Sequence, residues 1–305
     1  MKKELCPFDG FKLCVYNNQE YIDYLIRNAA QFSLVEKKVV DGHIFDYPKT
    51  GDYKGLKLKI HLTRKGSTVT ISGSFHKFHN ACKTNASQFY WEEFIKAYYE
   101  IEELLQLPPE TQLVNLEVGI NLEIPFEWEL TATQILKSIF FIQKITTRGT
   151  KSIKCLPNNG YSIHHKTEDY EYKIYDKGNQ YSLKKEILRY EKKFIKSRAV
   201  NRIGYQKYSD LLSFDKLNVP IENLIRDFKK LIIYNEQLEK SKNLTEEEKE
   251  FLLQIKKIDF FEDFKGTKEQ FDQIKGKYLA LVETHKCMNI HAQLIDLILK
   301  KLNTE

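Results

Sequence analysis

Hydrophobic and polar residues alternate in three stretches of the N-terminal half, and each alternation predicts a β-strand. In Tyr53–Thr63, leucines and an isoleucine alternate with lysines and a histidine, the period-two pattern of a half-buried strand. Thr68–Ser74 continues the pattern, and Lys65-Gly66-Ser67 predicts a turn that joins the two strands as a hairpin. The clearest strand is Leu113–Ile124, which has a continuous apolar face and a polar one.

Pairs of capping residues predict where helices begin. Two such pairs precede helices before residue 200: Asn85 with Gln88 before about Ala86–Leu105, and Thr131 with Gln134 before about Ala132–Ile145. Pro108-Pro109 ends the first of these helices. The pattern then predicts a loop over Arg148–Gly160, with a turn at Pro157-Asn158-Asn159-Gly160. Two strands follow, one over about Tyr161–Tyr175, with a break near Thr167 as an alternative, and one over about Glu186–Lys196.

Helical periodicity dominates after about residue 200. The helices predicted there are Asn223–Leu238, Glu246–Lys257, Lys268–Glu283 and His291–Leu302. Two of them begin with the capping pairs Thr245/Glu248 and Thr267/Gln270. We therefore predict an α+β domain over residues 1–200, followed by an all-helical C-terminal region over residues 201–305.

Composition and charge narrow the function classes. The chain has 305 residues, of which 42% are hydrophobic, enough for a packed core, and its formal net charge is +6. Positive charge is concentrated between Arg148 and Arg198, where 13 Lys and Arg stand against 6 Asp and Glu. Such local charge attracts a polyanion. A lysine-rich surface that only keeps the protein soluble would explain the same imbalance.

The sequence predicts a cytoplasmic protein with no membrane partner. It has no run of about 18 apolar residues, and its first residues lack the apolar stretch of a signal peptide. The 5 cysteines include no CxxC pair, which argues against a disulfide framework or a zinc knuckle. Reduced cysteines fit the cytosol.

The polar face of Leu113–Ile124 is a candidate metal site. Glu117, Gly119 and Asn121 share that face, and the glycine leaves room between a carboxylate and a carboxamide. Oxygen ligands suit Mg²⁺ or Mn²⁺. The ordinary alternative is that these residues are the polar side of a half-exposed strand.

A tyrosine flanked by lysines is a candidate nucleophile. Tyr175, Lys173 and Lys177 lie on one face of an extended segment, where positive charge is expected to stabilise a phenolate. A phenolate can attack a phosphodiester reversibly, and the lysines can neutralise the phosphate. The alternative is a tyrosine-rich strand, because tyrosine favours strands.

Two further segments carry polar groups in useful patterns. Arg189 and Glu191 share one face of a strand, so they could bind phosphate and a metal, or form a surface ion pair of little energetic value. The Gly73–Asn80 segment is predicted to be a loop, either one that contacts DNA or an ordinary polar loop. Its candidate DNA-binding residues are His76, Lys77, His79 and Asn80. His164 and His165 are adjacent in a strand and point to opposite faces, so they do not form a ligand pair.

In their order, these segments resemble the replication-initiation endonucleases of filamentous phages and of related rolling-circle plasmids, which are similar in turn to HUH nucleases. The resemblance covers about Val69 to Phe194. Its parts are the Gly73–Asn80 loop, then a helix and Leu116–Asn121, then a second helix, Ile174–Lys177 and Ile187–Glu191. No GxxxxGK[ST] motif occurs, so an ATP-driven helicase is unsupported.

The resemblance assigns roles residue by residue. Tyr175 matches the nucleophilic tyrosine, Lys177 its companion lysine, Glu117 the usual aspartate, Asn121 the second polar position, and Arg189 and Glu191 the last motif. Glu117 and Asn121 depart from the commonest acidic pair. The resemblance implies an antiparallel sheet with flanking helices and a Mg²⁺ or Mn²⁺ held by Glu117, Asn121 and Glu191. Lys173 would contact DNA.

The activity implied is nicking of single-stranded or origin DNA by the domain in residues 1–200, in the cytoplasm of a bacterial host. Attack by Tyr175 leaves a 5′-phosphotyrosyl link and a free 3′-hydroxyl, which primes a host polymerase. The C-terminal helices could serve origin recognition, dimerisation or recruitment of a host helicase.

Two rival hypotheses stay open at the level of sequence. A non-catalytic DNA-binding replication or partition protein would use the same basic segment, bind in a salt-dependent way and need neither metal nor Tyr175. A host-takeover or structural interaction protein would engage a partner through its C-terminal helices and show no preference for nucleic acid.

Overall fold

The structure is a computed structural model that describes residues 4–34, 37–38, 45–48, 55–63, 66–142, 150–155, 161–256, 264 and 266–303. The strands are β1 (Phe8–Tyr16), β2 (Lys37–Lys38), β3 (Phe45–Pro48), β4 (Lys57–Thr63), β5 (Gly66–Ser74), β6 (Gln112–Glu123), β7 (Ile139–Ile142), β8 (Thr150–Cys155), β9 (Tyr161–Lys166), β10 (Tyr170–Asp176), β11 (Ile187–Phe194) and β12 (Leu231–Ile233).

The helices are α1 (Gln19–Arg27), α2 (Phe75–His79), α3 (Trp91–Leu105), α4 (Ala132–Lys137), α5 (Lys177–Gln180), α6 (Ser197–Asn201), α7 (Asn218–Phe228), α8 (Glu236–Glu239), α9 (Glu246–Ile255), α10 (Lys268–Thr284) and α11 (Ile290–Asn303). Short 3₁₀ helices lie at Phe126–Trp128, Tyr208–Leu212 and Phe214–Lys216.

Ten of the described strands form one sheet in the order β2-β3-β4-β5-β1-β6-β11-β10-β9-β8, and β7 pairs with β12 in a second. Every one of these pairings is antiparallel. The predicted fold class, an antiparallel sheet with flanking helices followed by a helical C-terminal region, is confirmed. Thr63 pairs with Gly66, so the predicted hairpin is present, although Lys65 and residues 53–54 lie outside the described residues.

The large sheet has two different faces, because residues paired directly across neighbouring strands share a face. One row across β4, β5, β1 and β6 is buried and apolar: Leu58, Ile71, Leu13 and Leu113. The adjacent row on the opposite face is polar: Lys57, Ser72, Lys12 and Asn115. The first face, here called the core face, joins one hydrophobic cluster with buried residues of the helices, among them Leu25 of α1, Phe94 of α3 and Phe228 of α7. The second is called the polar face.

A β-bulge in β1 sets the direction of one acidic side chain. Phe8 pairs with Val118 and Phe11 pairs with Leu116, so β1 has one residue more than β6 between these pairs. The extra residue returns Phe11 to the core face and leaves Asp9 on the polar face. Bulges often re-aim side chains in this way beside active sites.

The helix predicted over Ala86–Leu105 begins five residues later than expected, at Trp91. Tyr90 is the N-cap, and the Glu93 side chain accepts a hydrogen bond from its backbone N–H. Asn85 is not a cap, because its side chain is buried and hydrogen-bonded to Asp9 of β1 and Lys177 of α5. The predicted N-terminal boundary was wrong because Asn85, which resembles an N-cap in the sequence, makes tertiary hydrogen bonds instead.

The prediction of a helix over Ala132–Ile145 was wrong beyond Lys137. Thr131 and Gln134 form the expected capping box, but α4 ends at Lys137 and Ile139–Ile142 is β7. These β-branched and aromatic residues favour a strand when a partner is available, and the partner is β12, 89 positions away at the pair Ile142 and Leu231. Residues 143–145 lie outside the described residues.

The prediction of a loop over Arg148–Gly160 was also wrong in part. Thr150–Cys155 is strand β8, paired with β9 at the edge of the large sheet. Local sequence gave no sign of it, because the stretch lacks a clear alternation of apolar residues. The predicted turn at residues 157–160 lies outside the described residues.

The C-terminal region is mainly helical but includes one strand. The helix predicted over Asn223–Leu238 is instead α7, β12 and α8, because Leu231–Ile233 pairs with β7. The three later helices occur as α9, α10 and α11, and Thr245 and Thr267 cap two of them. Residues of α9 and α10 form a second hydrophobic cluster, whereas Leu294 and Ile298 of α11 join the main core. No helix within the described residues is long and apolar enough to cross a membrane.

Candidate active site

Polar side chains from four adjacent strands meet on the polar face of the sheet. Two rows of directly paired residues cross β10, β11 and β6 there: Tyr175, Arg189 and Asn121 in one, and Lys173, Glu191 and Gly119 in the next. Glu117 lies two residues before Gly119 on the same face of β6, and Asp9 reaches the group from the bulge in β1. The alternation that predicted shared faces in β6, β10 and β11 therefore holds in the structure.

Three carboxylates converge at the centre of this group. Oxygen atoms of Asp9, Glu117 and Glu191 all lie within 4.8 Å of one another. Burial, and then the neighbouring Glu191, raise the pKa of Glu117 to about 7, although Lys173 acts in the opposite direction. An oxygen-only donor set of three carboxylates suits a hard divalent cation. The triad could therefore hold such an ion.

Arg189 is the internal counter-ion of the triad. Its Nε donates to Glu191 Oε1 at 2.6 Å, its Nη1 to Asn121 Oδ1 at 3.0 Å and its Nη2 to Asp9 Oδ2 at 2.5 Å. Burial opposes its charge, but Glu191 and Asp9 prevail and raise the pKa of the guanidinium above its usual value. The alternative of a surface ion pair was wrong, because both Arg189 and Glu191 are buried. The guanidinium is engaged by protein groups rather than presented to a phosphate.

Glycine at position 119 makes this arrangement possible. A Cβ atom there would lie 2.9 Å from Arg189 Nη2, 2.9 Å from Glu191 Cγ and 3.0 Å from the Tyr190 carbonyl oxygen. The oxygen belongs to backbone and the two side chains are buried, so they could not move aside cheaply. Gly119 thus opens the space that the guanidinium occupies beside β6.

Asn121 does not join the carboxylate triad. Its Nδ2 donates to the backbone carbonyls of Asn85, Ala86 and Ser87 at 3.3, 3.0 and 3.1 Å, and its Oδ1 accepts from Arg189. The structure thus places this predicted metal ligand between the sheet and the segment before α3. In this structure its oxygen orients Arg189.

Tyr175 lies beside the triad, and its side chain is 9% exposed. Its hydroxyl donates to Glu191 Oε1 at 2.8 Å and lies 3.0 Å from Lys177 Nζ. Burial, and then the charge of Glu191, raise the pKa of Tyr175 well above its usual value. The expectation that flanking lysines stabilise the phenolate was wrong for this structure, in which the phenol keeps its proton near neutral pH.

Lys177 is placed near the tyrosine by a change of backbone direction. Asp176 caps α5, so β10 ends and Lys177 begins a short helix whose first side chain turns back to Tyr175. Lys177 Nζ also lies 2.6 Å from Asn85 Oδ1. Burial, and then the charge of Arg189, lower the pKa of Lys177 to about 7. The amine is therefore neutral in a substantial fraction of molecules near neutral pH.

Lys173 lies at the more open side of the site. Its Nζ is 3.3 Å from Glu117 Oε2 and 3.8 Å from Glu191 Oε2. Lys193, one row further along the polar face, lies 4.0 Å from Glu117. Both lysines are only partly buried, so they border the triad on its more exposed side.

The predicted DNA-binding loop is largely helical, since Phe75–His79 forms α2. His76 is buried, its ring stacks on Phe89 with centroids 4.6 Å apart, and burial lowers its pKa to about 4. The other three predicted residues point differently: His79 Nε2 lies 3.8 Å from Glu93, Asn80 donates to the Thr84 carbonyl, and Lys77 is exposed. Of the four, Lys77 is exposed, His79 and Asn80 are half-buried, and His76 is buried.

Two residues of the site were not predicted. Asp9 supplies a triad carboxylate, and Asn85 donates to Asp9 at 2.8 Å while accepting from Lys177 and from Tyr181. Asp9 follows one aromatic residue and precedes Gly10 in a stretch with no distinctive pattern. Its pairing with β6 is a long-range contact that the local sequence does not indicate. The Asp-Gly pair within an apolar run is the one local feature that coincides with the bulge.

Comparison with known proteins gives one distant likeness. No family model matches the chain, and no curated protein matches it. The rolling circle replication initiator protein from Geobacillus stearothermophilus is a solved structure that is 11% identical, with a TM-score of 0.37. The alignment covers 83% of this chain and 97% of that one.

Proposed function

We propose that this protein initiates rolling-circle DNA replication by nicking one DNA strand, with Tyr175 as the nucleophile. The observation that carries the proposal is the contact between the Tyr175 hydroxyl and both Glu191 and Lys177, directly beside three converging carboxylates. A structural tyrosine in a strand needs neither a carboxylate cluster nor a buried amine of lowered pKa. Perturbed titratable groups gathered in this way are typical of catalytic sites.

In the proposed reaction the Tyr175 oxygen bonds to the phosphorus of the scissile phosphate, and the bond from phosphorus to the 3′ oxygen breaks. The tyrosine retains the 5′ end, and the departing 3′ oxygen takes up a proton to become a hydroxyl. The covalent link keeps the energy of the phosphodiester, so the hydroxyl can later attack it and restore the strand without ATP.

Lys177 is the residue best suited to take the proton from Tyr175. Glu191 already accepts a hydrogen bond from the phenol, but Arg189 holds the pKa of Glu191 below its usual value, against the effect of burial, so Glu191 is a weak base. The Lys177 amine, 3.0 Å away, has a pKa of about 7. General bases work best when their pKa lies near the working pH.

The triad and the bordering lysines are proposed to bind the scissile phosphate and to stabilise its negative charge. Asp9, Glu117 and Glu191 would hold a Mg²⁺ or Mn²⁺ ion, which would supply positive charge at a phosphoryl oxygen. Lys173 and Lys193, on the open side of Glu117, contribute further positive charge where the strand enters. Asn85 keeps the amine of Lys177 and the carboxylate of Asp9 in fixed positions.

The proposal is tested by incubating the protein with circular single-stranded DNA and Mn²⁺ and running denaturing gels with and without protease. We expect a protein–DNA adduct that forms only with a divalent ion and that protease converts to a faster band. Origin-containing DNA serves as a second substrate. DNA binding without an adduct on either substrate would favour a non-catalytic DNA-binding replication protein, and absence of binding would refute both functions.

The rate of adduct formation should depend on pH through Lys177. The pKa of its amine is lowered to about 7, so the base is charged below that pH and neutral above it. We expect the single-turnover rate to rise about tenfold per pH unit below 7 and to level off above 7. Lys177→Arg, which stays charged, should be slower by about 10²- to 10⁴-fold and lose this step in the profile.

Lys77→Arg is the matched control, because Lys77 is an exposed lysine near the same site. Its pH profile should coincide with that of the wild-type protein. A profile that keeps its step in Lys177→Arg would assign the step to another group with a pKa near 7, such as Glu117, and not to Lys177.

A further inference from the structure

The polar face of the sheet continues beyond the candidate active site onto β1, β5 and β4. Asn115 lies two residues before Glu117 on the same face of β6, and it pairs with Lys12 of β1. Lys12 pairs with Ser72 of β5, which pairs with Lys57 of β4. An unbroken row of neighbouring residues therefore leads from the triad across three more strands.

Two more rows extend this surface. Thr70 is paired with Lys59 on one side and Cys14 on the other, and Thr68 is paired with His61 and Tyr16. The intervening residues of β4 and β5, such as Ile60 and Val69, are buried on the core face. The alternation shows that these lysines, hydroxyls and rings share one side of the sheet.

Charge distinguishes this surface from an ordinary solvent-facing sheet. Antiparallel sheets commonly leave one polar face to water, but such faces usually mix both signs of charge. The three rows on β4, β5 and β1 contain Lys12, Lys57, Lys59 and His61 and no acidic residue. Within the described part of the chain, neither Lys12 nor Lys57 has an ion-pair partner, and both are exposed.

We propose that these rows, called here the lysine–threonine face, bind the single-stranded DNA that flanks the phosphate at the triad. The inference rests on the proposed function for the identity of the strand. Lysines and hydroxyls contact phosphate and sugar without reading sequence. Tyr16, which is 48% exposed at the far end of the face, offers an aromatic ring on which a base can stack.

The dimensions agree with a flanking segment rather than a distant second site. Neighbouring strands lie about 4.8 Å apart, so β4 is roughly 14 Å from β6 across the sheet. A strand that passes the triad can therefore reach Lys12, Lys57 and Lys59 without leaving the sheet. On β6, β10 and β11 the acidic residues of this face lie at the triad and beyond it, so the strand is expected to run from the triad toward β1, β5 and β4. Asp46 of β3, which pairs with His61, marks the far edge of the face.

The test is the salt dependence of binding to fluorescein-labelled oligothymidylate, longer than the roughly 4–16 nucleotides that a single-strand binding module covers. Without a divalent ion no nicking is expected, so binding is measured alone. The triple variant Lys12→Gln/Lys57→Gln/Lys59→Gln should flatten the slope of log Kobs against log salt by about 2, at about 0.7 for each lost phosphate contact.

The matched control is Lys96→Gln/Lys137→Gln/Lys229→Gln. These exposed lysines lie on α3, on α4 and directly after α7, helices whose buried residues join the core on the other side of the sheet. The control should keep the wild-type slope. Equal slopes for the two triple variants would overturn the inference.

A second arm examines the aromatic ring. Tyr16→Ala should weaken binding between about fivefold and a hundredfold if a base stacks there. Tyr99→Ala is its control, because Tyr99 is 52% exposed on α3. Equal affinities for these two variants would show that no base stacks on Tyr16. The contribution of the lysines would still be tested by the salt dependence.

The inference and the proposed function fail separately. If the wild-type protein forms the adduct but the lysine variant keeps its slope, the nicking function stands and the lysine–threonine face is refuted. If the slope falls as expected but no adduct forms with any divalent ion, the face is supported as a DNA-binding surface and the nickase is refuted.

Discussion

Tyr175→Phe is expected to form no covalent adduct with single-stranded DNA while binding that DNA nearly as tightly as the wild-type protein. The change removes the attacking oxygen and leaves the ring in its place. Loss of a covalent nucleophile typically lowers the rate by at least about 10⁴-fold. The hydroxyl bonds only to Glu191 and Lys177 within the described residues, so the fold should tolerate its loss. Single-turnover adduct formation and oligonucleotide binding are measured on the same preparation.

The structure reduces the number of competing tyrosines. Tyr172 donates to Asp227 on the core face, and Tyr170 is paired with Phe194 on that same face. Tyr181 is the relevant control, because its hydroxyl lies 3.0 Å from Asn85 Oδ1 and its ring lies near Lys177. Tyr181→Phe should keep forming the adduct. An adduct that survives in Tyr175→Phe and disappears in Tyr181→Phe would move the nucleophile to Tyr181.

The side chains of β6, β10 and β11 could be placed from sequence because strand periodicity is a local property. Once Glu117, Lys173 and Glu191 are assigned to strands, alternation determines which neighbours share their face. The segment order then suggested that those faces meet. The structure adds the register, which pairs Lys173 with Glu191 and Tyr175 with Arg189.

Asp9 and Asn85 could not be placed by the same reasoning. The contribution of Asp9 depends on β1 pairing with β6 and on a bulge, and the pairing partners are separated by about a hundred residues in sequence. Asn85 resembled a helix cap, but a buried amide that bonds both Asp9 and Lys177 satisfies more polar groups than a cap would. Long-range contacts overruled a local preference in both cases, as they did where β7 and β12 replaced predicted helix.

The environment of Tyr175 shows the limit of charge counting in a sequence. Two nearby lysines suggested a stabilised phenolate, yet the geometry directs Lys173 to Glu117 and leaves Glu191 in contact with the phenol. Burial and a carboxylate at 2.8 Å outweigh the opposing charge of Arg189, so the pKa of Tyr175 rises. We therefore propose that Lys177 accepts the proton of the phenol rather than stabilising a phenolate.

Arg189→Met is expected to lower stability by about 3–5 kcal/mol, because it leaves Asp9 and Glu191 buried without their counter-ion. For a chain of this size such a loss corresponds to a fall in Tm of roughly 10 °C. Arg189→Lys keeps the charge but cannot make all three hydrogen bonds of the guanidinium. Its Tm should therefore lie between those of the wild-type protein and Arg189→Met. Arg198→Met is the control, because Arg198 is an exposed arginine paired with Glu168 and Asp169 and its loss should change Tm little.

A divalent ion should partly restore Arg189→Met, since removal of the guanidinium leaves three carboxylates whose positive neighbours are lysines, among them Lys173, Lys193 and Lys177. Saturation at about a hundred times Kd stabilises a folded protein by about 2.7 kcal/mol, so Mn²⁺ should raise the Tm of the variant by several degrees. The increase should exceed that of the wild-type protein, in which the ion competes with Arg189 for Asp9 and Glu191. Differential scanning calorimetry with Mn²⁺ and with EDTA measures both effects. An equal Mn²⁺ response in Arg189→Met and in Arg189→Met/Glu117→Gln would mean that the triad does not bind the ion, because the second change removes one of its three carboxylates.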